Sequence, residues 1–155
     1  MGYPEAKLGQ MEYQEGTIGR VFVIRFDHGD DLLDALSAFV KEKVIKTGWL
    51  FILGGLESAE LVTGPESPVI PPNPLWDRFS DGREILALGS IFWEGNMPKI
   101  HLHGVAGRAG ETLMGCLRER MQVYLFIEAM ILELKGIDAI KRFDNSKGVS
   151  VLAFK

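Results

Sequence analysis

Lys99-Ile100-His101-Leu102-His103-Gly104-Val105, followed by Gly107-Arg108-Ala109-Gly110 and then Glu111-Thr112-Leu113-Met114-Gly115-Cys116, reads as two strands joined by a hairpin connection. Side chains alternate along a strand, so His101 and His103 share one face and Leu102 points the other way. Two imidazoles roughly 7 Å apart along the backbone can converge on one metal ion at ~2.0–2.1 Å per bond. A turn centred between Arg108 and Ala109 places His101 opposite Cys116 and His103 opposite Met114. A slip of one residue would send Cys116 to the other face. With the expected register, the only cysteine of the chain joins both histidines.

Two imidazoles and a thiolate form a common zinc shell that also suits nickel, cobalt or iron. Three protein ligands leave a fourth position for water or a small ligand. The plain alternative for Cys116 is a small buried hydrophobe. The expected cofactor is a divalent transition metal, zinc first, on His101, His103 and Cys116.

Outward from this hairpin, strand and helix patterns alternate unevenly. Thr17 to Asp27 contains Val21-Phe22-Val23-Ile24-Arg25-Phe26 and reads as a strand. His28-Gly29-Asp30-Asp31 breaks it, with Asp30 as expected N-cap and Asp31 at the positive end of the helix dipole. Leu32, Leu33, Leu36, Phe39, Val40 and Val44 recur at helical spacing, which predicts a helix over 31–46 with Gly48 as its stop. Further strands are expected at 49–53, 58–63, 84–93, 99–105, 111–116, 123–134, 137–142 and 149–154. Gly64 to Phe79 carries five of the seven prolines and reads as a long irregular loop. Many strands and one main helix, without βαβ alternation, predict a single α+β domain built on a mostly antiparallel or mixed sheet. Its expected span is 17–155, behind a flexible extension over 1–16.

The chain has 155 residues and a net charge of −4, from 17 basic and 21 acidic side chains. That length buries ~70% of the unfolded surface without a staple. The acidic balance lacks the footprint of a direct DNA binder. A lone cysteine excludes an internal disulfide and fits a reducing cytoplasm. No basic-then-apolar leader or long apolar run points to export or a membrane. Neither a phosphate loop nor a Gly-x-Gly-x-x-Gly turn after a strand is present, so nucleotide binding lacks support.

Three further residues stand out. His28 is a candidate extra ligand if its loop folds over the sheet, or else a solvated turn residue. Glu128 breaks the run Val123-Tyr124-Leu125-Phe126-Ile127, and strict alternation does not give it one wet face, so a pocket or subunit contact is one reading. Arg25 could pair with a carboxylate, bind an anion, or reach to water from a strand edge. Trp49, Trp76 and Trp93 read as core or interface residues.

The order of these segments resembles the plants-and-prokaryotes-conserved (PPC) domain, over about Gly19 to Phe154. The matching pieces begin with Arg25-Phe26-Asp27-His28-Gly29-Asp30-Asp31-Leu32, followed by Ile52-Leu53-Gly54-Gly55 and Glu84-Ile85-Leu86-Ala87-Leu88-Gly89-Ser90. The His-x-His strand, the Gly107–Gly110 hairpin, Met114-Gly115-Cys116-Leu117 and Glu128 complete the match. Cys116 stands where the family has a third His, Met114 where it has Gly, and Ser90 where its strand turns on Gly. The resemblance implies a homotrimer of an α+β fold, with a metal site in some prokaryotic members. Plant relatives bind DNA with a separate Arg-Gly-Arg-Pro hook, which this sequence lacks.

The expected function is therefore a metal-binding homotrimer with a small-ligand or regulatory role. Two alternatives are a DNA-associated regulator acting through an assembly or partner, and a metal-dependent enzyme with Glu128 or His28 as base.

Overall fold

A computed structural model describes residues 11–155. The elements are β1 (Thr17–Asp27), α1 (Leu32–Glu42), β2 (Gly48–Pro65), β3 (Pro74–Phe79), β4 (Arg83–Glu94), β5 (Met97–Arg108), β6 (Glu111–Lys135), β7 (Ala139–Asp144) and β8 (Val149–Phe154). The sheet order is β1-β6-β5-β4-β2-β3, every pairing is antiparallel, and β6 also pairs with β2. The contacts β2–β4, β4–β5, β5–β6 and β6–β2 thus close into a ring. A mostly antiparallel sheet with one short helix, in a single domain, agrees with the α+β reading.

Helix α1 covers the inner face of this ring. Leu32, Leu36 and Val40, spaced four apart, are fully buried against Leu50, Ile52, Leu102, Ile127 and Ile131. Each such side chain contributes ~1.5–3 kcal/mol by leaving water. Asp31, not Asp30, is the N-cap, its carboxylate accepting from Asp34 N at 3.0 Å. Asp30 accepts from Asp27 N at 3.0 Å and shapes the preceding turn.

The helix stops at Glu42, shorter than its apolar pattern predicts. Ile45 N donates to Val40 O at 3.0 Å and Val44 N to Lys41 O at 3.2 Å, a Schellman-type ending. Val44 occupies the left-handed position at φ 54° and is exposed, so it does not extend the apolar face. Gly48 opens β2 instead of ending the helix.

Two pairs of expected strands are single long strands. Residues 49–53 and 58–63 both belong to β2, and 111–116 and 123–134 to the 25-residue β6. Bulges let these strands bend without ending: the β2–β6 register shifts at Gly54/Gly55 and again beyond Leu56, with Arg120 and Leu125 at positive φ. The last six residues of the expected loop form β3, an edge strand that begins on Pro74 and pairs with Ala59–Pro65 of β2.

Strands β7 and β8 form a separate hairpin. It is tied to β4 by Ser150 Oγ donating to Glu94 Oε1 at 2.8 Å, and Gly148 lies against Pro71. Residues 1–10 of the expected N-terminal extension lie outside the described residues. Gln14 is pinned at the far side of the hairpin, accepting from Asp138 N at 2.7 Å and donating to Lys155 O at 3.2 Å. No helix among the described residues is long and apolar enough to cross a membrane.

Candidate metal centre

His101 and His103 lie on β5, and Cys116 on the facing segment of β6. His103 pairs directly with Cys116, and Val105 with Met114. The expected register, His101 opposite Cys116 and His103 opposite Met114, is therefore wrong by two residues. The cause is the turn: Ala109 and Gly110 both have positive φ, 48° and 86°, and Arg108 pairs with Glu111 across a two-residue loop. The turn centre sits one residue later than expected. Because a two-residue slip preserves the face, all three side chains still project together.

The ligand atoms of His101, His103 and Cys116 lie within 4.8 Å of one another. The two Nε2 atoms are 3.0 Å apart and the rings meet edge to face at 85°. Two nitrogens on one tetrahedral zinc at ~2.0–2.1 Å stand roughly 3.3 Å apart, so the donor set fits. Gly115 lets β6 press onto β2 beside the site: a Cβ there would overlap the Val62 carbonyl.

Burial lowers the His101 imidazole to about 4, and the like charges of His103, Lys141 and Arg118 push the same way. The residue keeps solvent contact, yet its ring is held neutral at physiological pH, the form that ligates. Burial pushes the Cys116 thiol up, while Arg118 and Lys141 pull it back. A bound divalent ion would override the remaining shift, since a coordinating thiol loses its proton outright. Cys116 is a free, buried thiol.

The cluster borders a cavity of about 930 Å³ lined by His103, Cys116, Arg118, Trp76 and the prolines Pro65 and Pro72. A second cavity of about 410 Å³ is lined by His101, Arg118 and Lys141. Arg118 and Lys141 were missed in the sequence. Arg118 is two positions beyond Cys116, so alternation along the strand could have found it. Lys141 comes from β7 and carries no local signal.

None of the other three expected residues joins the ligand cluster, although Glu128 shares a cavity with His103. His28 is not in the ligand cluster: its Nδ1 accepts from Leu125 N at 3.3 Å and its ring meets Tyr124 edge to face, bracing the β6 bulge. Glu128 is exposed and lines a shallow apolar cavity of about 630 Å³ with Val23, Phe51, Leu53, Leu86 and Met130. The bulge at Leu125 shifts the β2–β6 register by two residues and so keeps the phase: Val123 and Ile127 both point inward, Leu125 alone drops out of the alternation, and Glu128 faces outward like Tyr124 and Phe126. Arg25 forms an exposed ion pair with Asp27 at 3.0 Å. Trp93 is buried, donating to Ile45 O at 2.7 Å, whereas Trp49 and Trp76 are exposed.

Solved structures share this fold. A metal-containing protein from Archaeoglobus fulgidus aligns over 92% of this chain and 99% of its own, at 24% identity and a TM-score of 0.81. A plant- and prokaryote-conserved (PPC) protein from Pyrococcus horikoshii aligns over 94% and 99%, at 19% identity and a TM-score of 0.78. A protein provisionally assigned as DNA-binding, from Ralstonia eutropha, aligns over 86% and 90%, at 18% identity and a TM-score of 0.72. At these identities the likeness establishes the fold alone. No curated protein matches the chain significantly. The Plants and Prokaryotes Conserved (PCC) domain profile matches residues 13–135, a span that contains the ring of strands, the helix and all three candidate ligands, and the chain belongs to that family.

Proposed function

We propose that this chain is a metal-binding protein in which His101, His103 and Cys116 hold one divalent transition-metal ion, zinc first, within a homotrimer. The observation that carries the reading is the convergence of two imidazole nitrogens and one thiol within 4.8 Å at the rim of a 930 Å³ cavity. When bound, the ion would supply a Lewis-acidic position open to a small ligand. The description of the Archaeoglobus relative as metal-containing supports this reading. The functional unit runs from residue 17 to 155, because Gly148 and Val149 of the terminal hairpin line the cavity.

The trimer rests on the outer sheet face. Val23, Phe51, Leu53, Leu86, Leu88 and Met130 are all exposed there, around one shallow apolar cavity. Monomers rarely leave a patch of this kind uncovered. A regulatory role through a small ligand fits the net charge of −4 better than direct DNA contact does. A cytoplasmic setting would keep Cys116 reduced.

Elemental analysis of protein purified without a His-tag tests the reading. About one transition-metal ion per chain is expected, and His101→Ala should remove it. Metal-free wild-type protein, after growth and purification with zinc supplied, would refute it.

A further inference from the structure

Next to the three candidate ligands, the 410 Å³ cavity gathers Lys99, His101, Arg118, Lys141 and Ser150. Two of these polar groups are already occupied. Lys99 pairs with Glu94 at 3.3 Å, and Ser150 donates to the same carboxylate at 2.8 Å. Arg118 and Lys141 are different: among the described residues neither has a carboxylate within ion-pair distance. Lys141 is also half-buried, and burial lowers its ammonium while the nearby Cys116 raises it. A half-buried cation without a counter-ion is costly.

Charge balance points the same way. A divalent ion bound by one thiolate and two neutral imidazoles keeps one positive charge. Arg118 and Lys141 add one each, on the same side of the sheet. No acidic residue lines this smaller cavity; Glu94 beside it is taken by Lys99 and Ser150, and the carboxylate that lines the adjoining cavity, the exposed Glu119, pairs with neither cation.

The cavity is also joined to a larger, mostly apolar one, which carries Thr63 and Glu119 among its polar groups. Arg118, Gly148 and Val149 line both it and the larger 930 Å³ cavity, whose walls include Val62, Pro65, Pro72, Trp76 and Met114. A ligand spanning the two would have its charge at one end and an apolar body at the other.

We propose that Arg118 and Lys141 form the anion-binding subsite of a small-molecule acid, whose carboxylate or phosphate group lies between them and whose apolar body lies against Trp76. The proposal rests on the metal reading for the reach of the anion toward the open coordination position, but the two cations stand without it. The guanidinium supplies a planar fork for two oxygens and the ammonium a point charge. Lys141 lies beyond residues 13–135, so this half of the subsite comes from the terminal hairpin and not from the segment that defines the family match.

The test uses untagged full-length protein, as purified and after metal loading, with metal content measured in every sample. Calorimetric titrations with benzoate and with phenyl phosphate distinguish carboxylate from phosphate, and acetate and inorganic phosphate report the head group alone. At least one aromatic acid should bind, more tightly than its head group alone. Lys141→Met and Arg118→Leu should each weaken it roughly tenfold or more while leaving the metal-to-chain ratio and the far-UV spectrum unchanged. Lys141→Arg should restore most of the affinity.

Absence of binding by all four anions to metal-replete protein would overturn the subsite and leave the metal site standing. Unchanged affinity in both folded variants would do the same. Wild-type protein that stays metal-free after metal loading, yet binds an aromatic acid through Arg118 and Lys141, would overturn the metal reading alone. Tighter, Arg118- and Lys141-dependent binding of a short DNA duplex would overturn the small-molecule assignment.

Discussion

Arg25 stands directly opposite Glu128 on the β1–β6 ladder, yet its guanidinium closes on Asp27 at 3.0 Å instead. Glu128 is left at the edge of the apolar outer face with no ion-pair partner among the described residues. In the proposed trimer that face is covered. Leu86, 66% exposed, is the place to test it. Leu86→Glu should convert a trimer into a chain sedimenting at 17.2 kDa, with the fold intact by circular dichroism. Its cost to the isolated chain should stay within about 0.5 kcal/mol, as for other surface changes. A wild-type monomer at micromolar concentration would end the trimer proposal.

Cys116→His should keep metal binding, because imidazole replaces thiolate on the same strand face. Loaded with cobalt, the wild-type protein should show thiolate-to-metal charge-transfer absorption, and this variant should lack it. Cys116→Ala, which removes the donor without adding another, should weaken binding by about 100-fold or more, above the range seen for losing an outer-shell partner.

Gly115→Ala should disturb the site without touching a ligand. The added methyl overlaps the Val62 carbonyl, so β6 must move away from β2 next to Cys116. A destabilisation of about 1–3 kcal/mol is expected from denaturant unfolding, together with weaker metal retention.

Glu133 accepts from Arg20 through both oxygens, at 2.6 and 2.7 Å, and Arg20 also donates to Lys43 O at 2.9 Å. The Arg20 hydrogen bond holds the Glu133 carboxyl below its usual range, with Arg20 and Lys135 charges adding to the effect. A carboxyl lowered in the folded state stabilises the fold above its unfolded value and loses that contribution as pH falls. Glu133→Gln should therefore melt below wild type at pH 7. The gap should shrink as pH drops through about 4 toward the lowered value.

Val44→Gly should stabilise the protein by about 1 kcal/mol. Val44 is a β-branched residue in the left-handed position that closes the helix, and it is 55% exposed, so little packing is lost. Thermal unfolding at constant pH measures the gain. A lower melting temperature would mean that Val44 is held by contacts that outweigh its strain.

The features that were legible in the sequence are those carried by short-range periodicity. Leu32, Leu36 and Val40 announce the helix face, and Ile100 and Leu102 alternating with His101 and His103 announce the β5 strand. What periodicity hides is where a strand bulges. Leu125 and Arg120 sit at positive φ inside β6, so one bent strand looks like two, and Leu125 turns outward at a position that alternation assigns to the core. The helix end was hidden in the same way, because Val44 fits the apolar spacing although its backbone has already left the helix. Lys141 was invisible for another reason: only the packing of the β7–β8 hairpin against the main sheet brings it beside a strand some 40 residues earlier in the chain.

The two-residue loop at Ala109 and Gly110 is only one of the restraints on this hairpin. The other is the ladder β6 shares with β2, where Cys116 lies opposite Val62 and Leu117 opposite Leu61. A longer loop would therefore leave the thiol facing His103, whereas a one-residue slip of β6 itself would exchange Cys116 for Leu117 or Gly115, neither of which can donate to a metal. Over evolutionary time the loop is free to vary in length, and the stretch of β6 clamped between β5 and β2 is not.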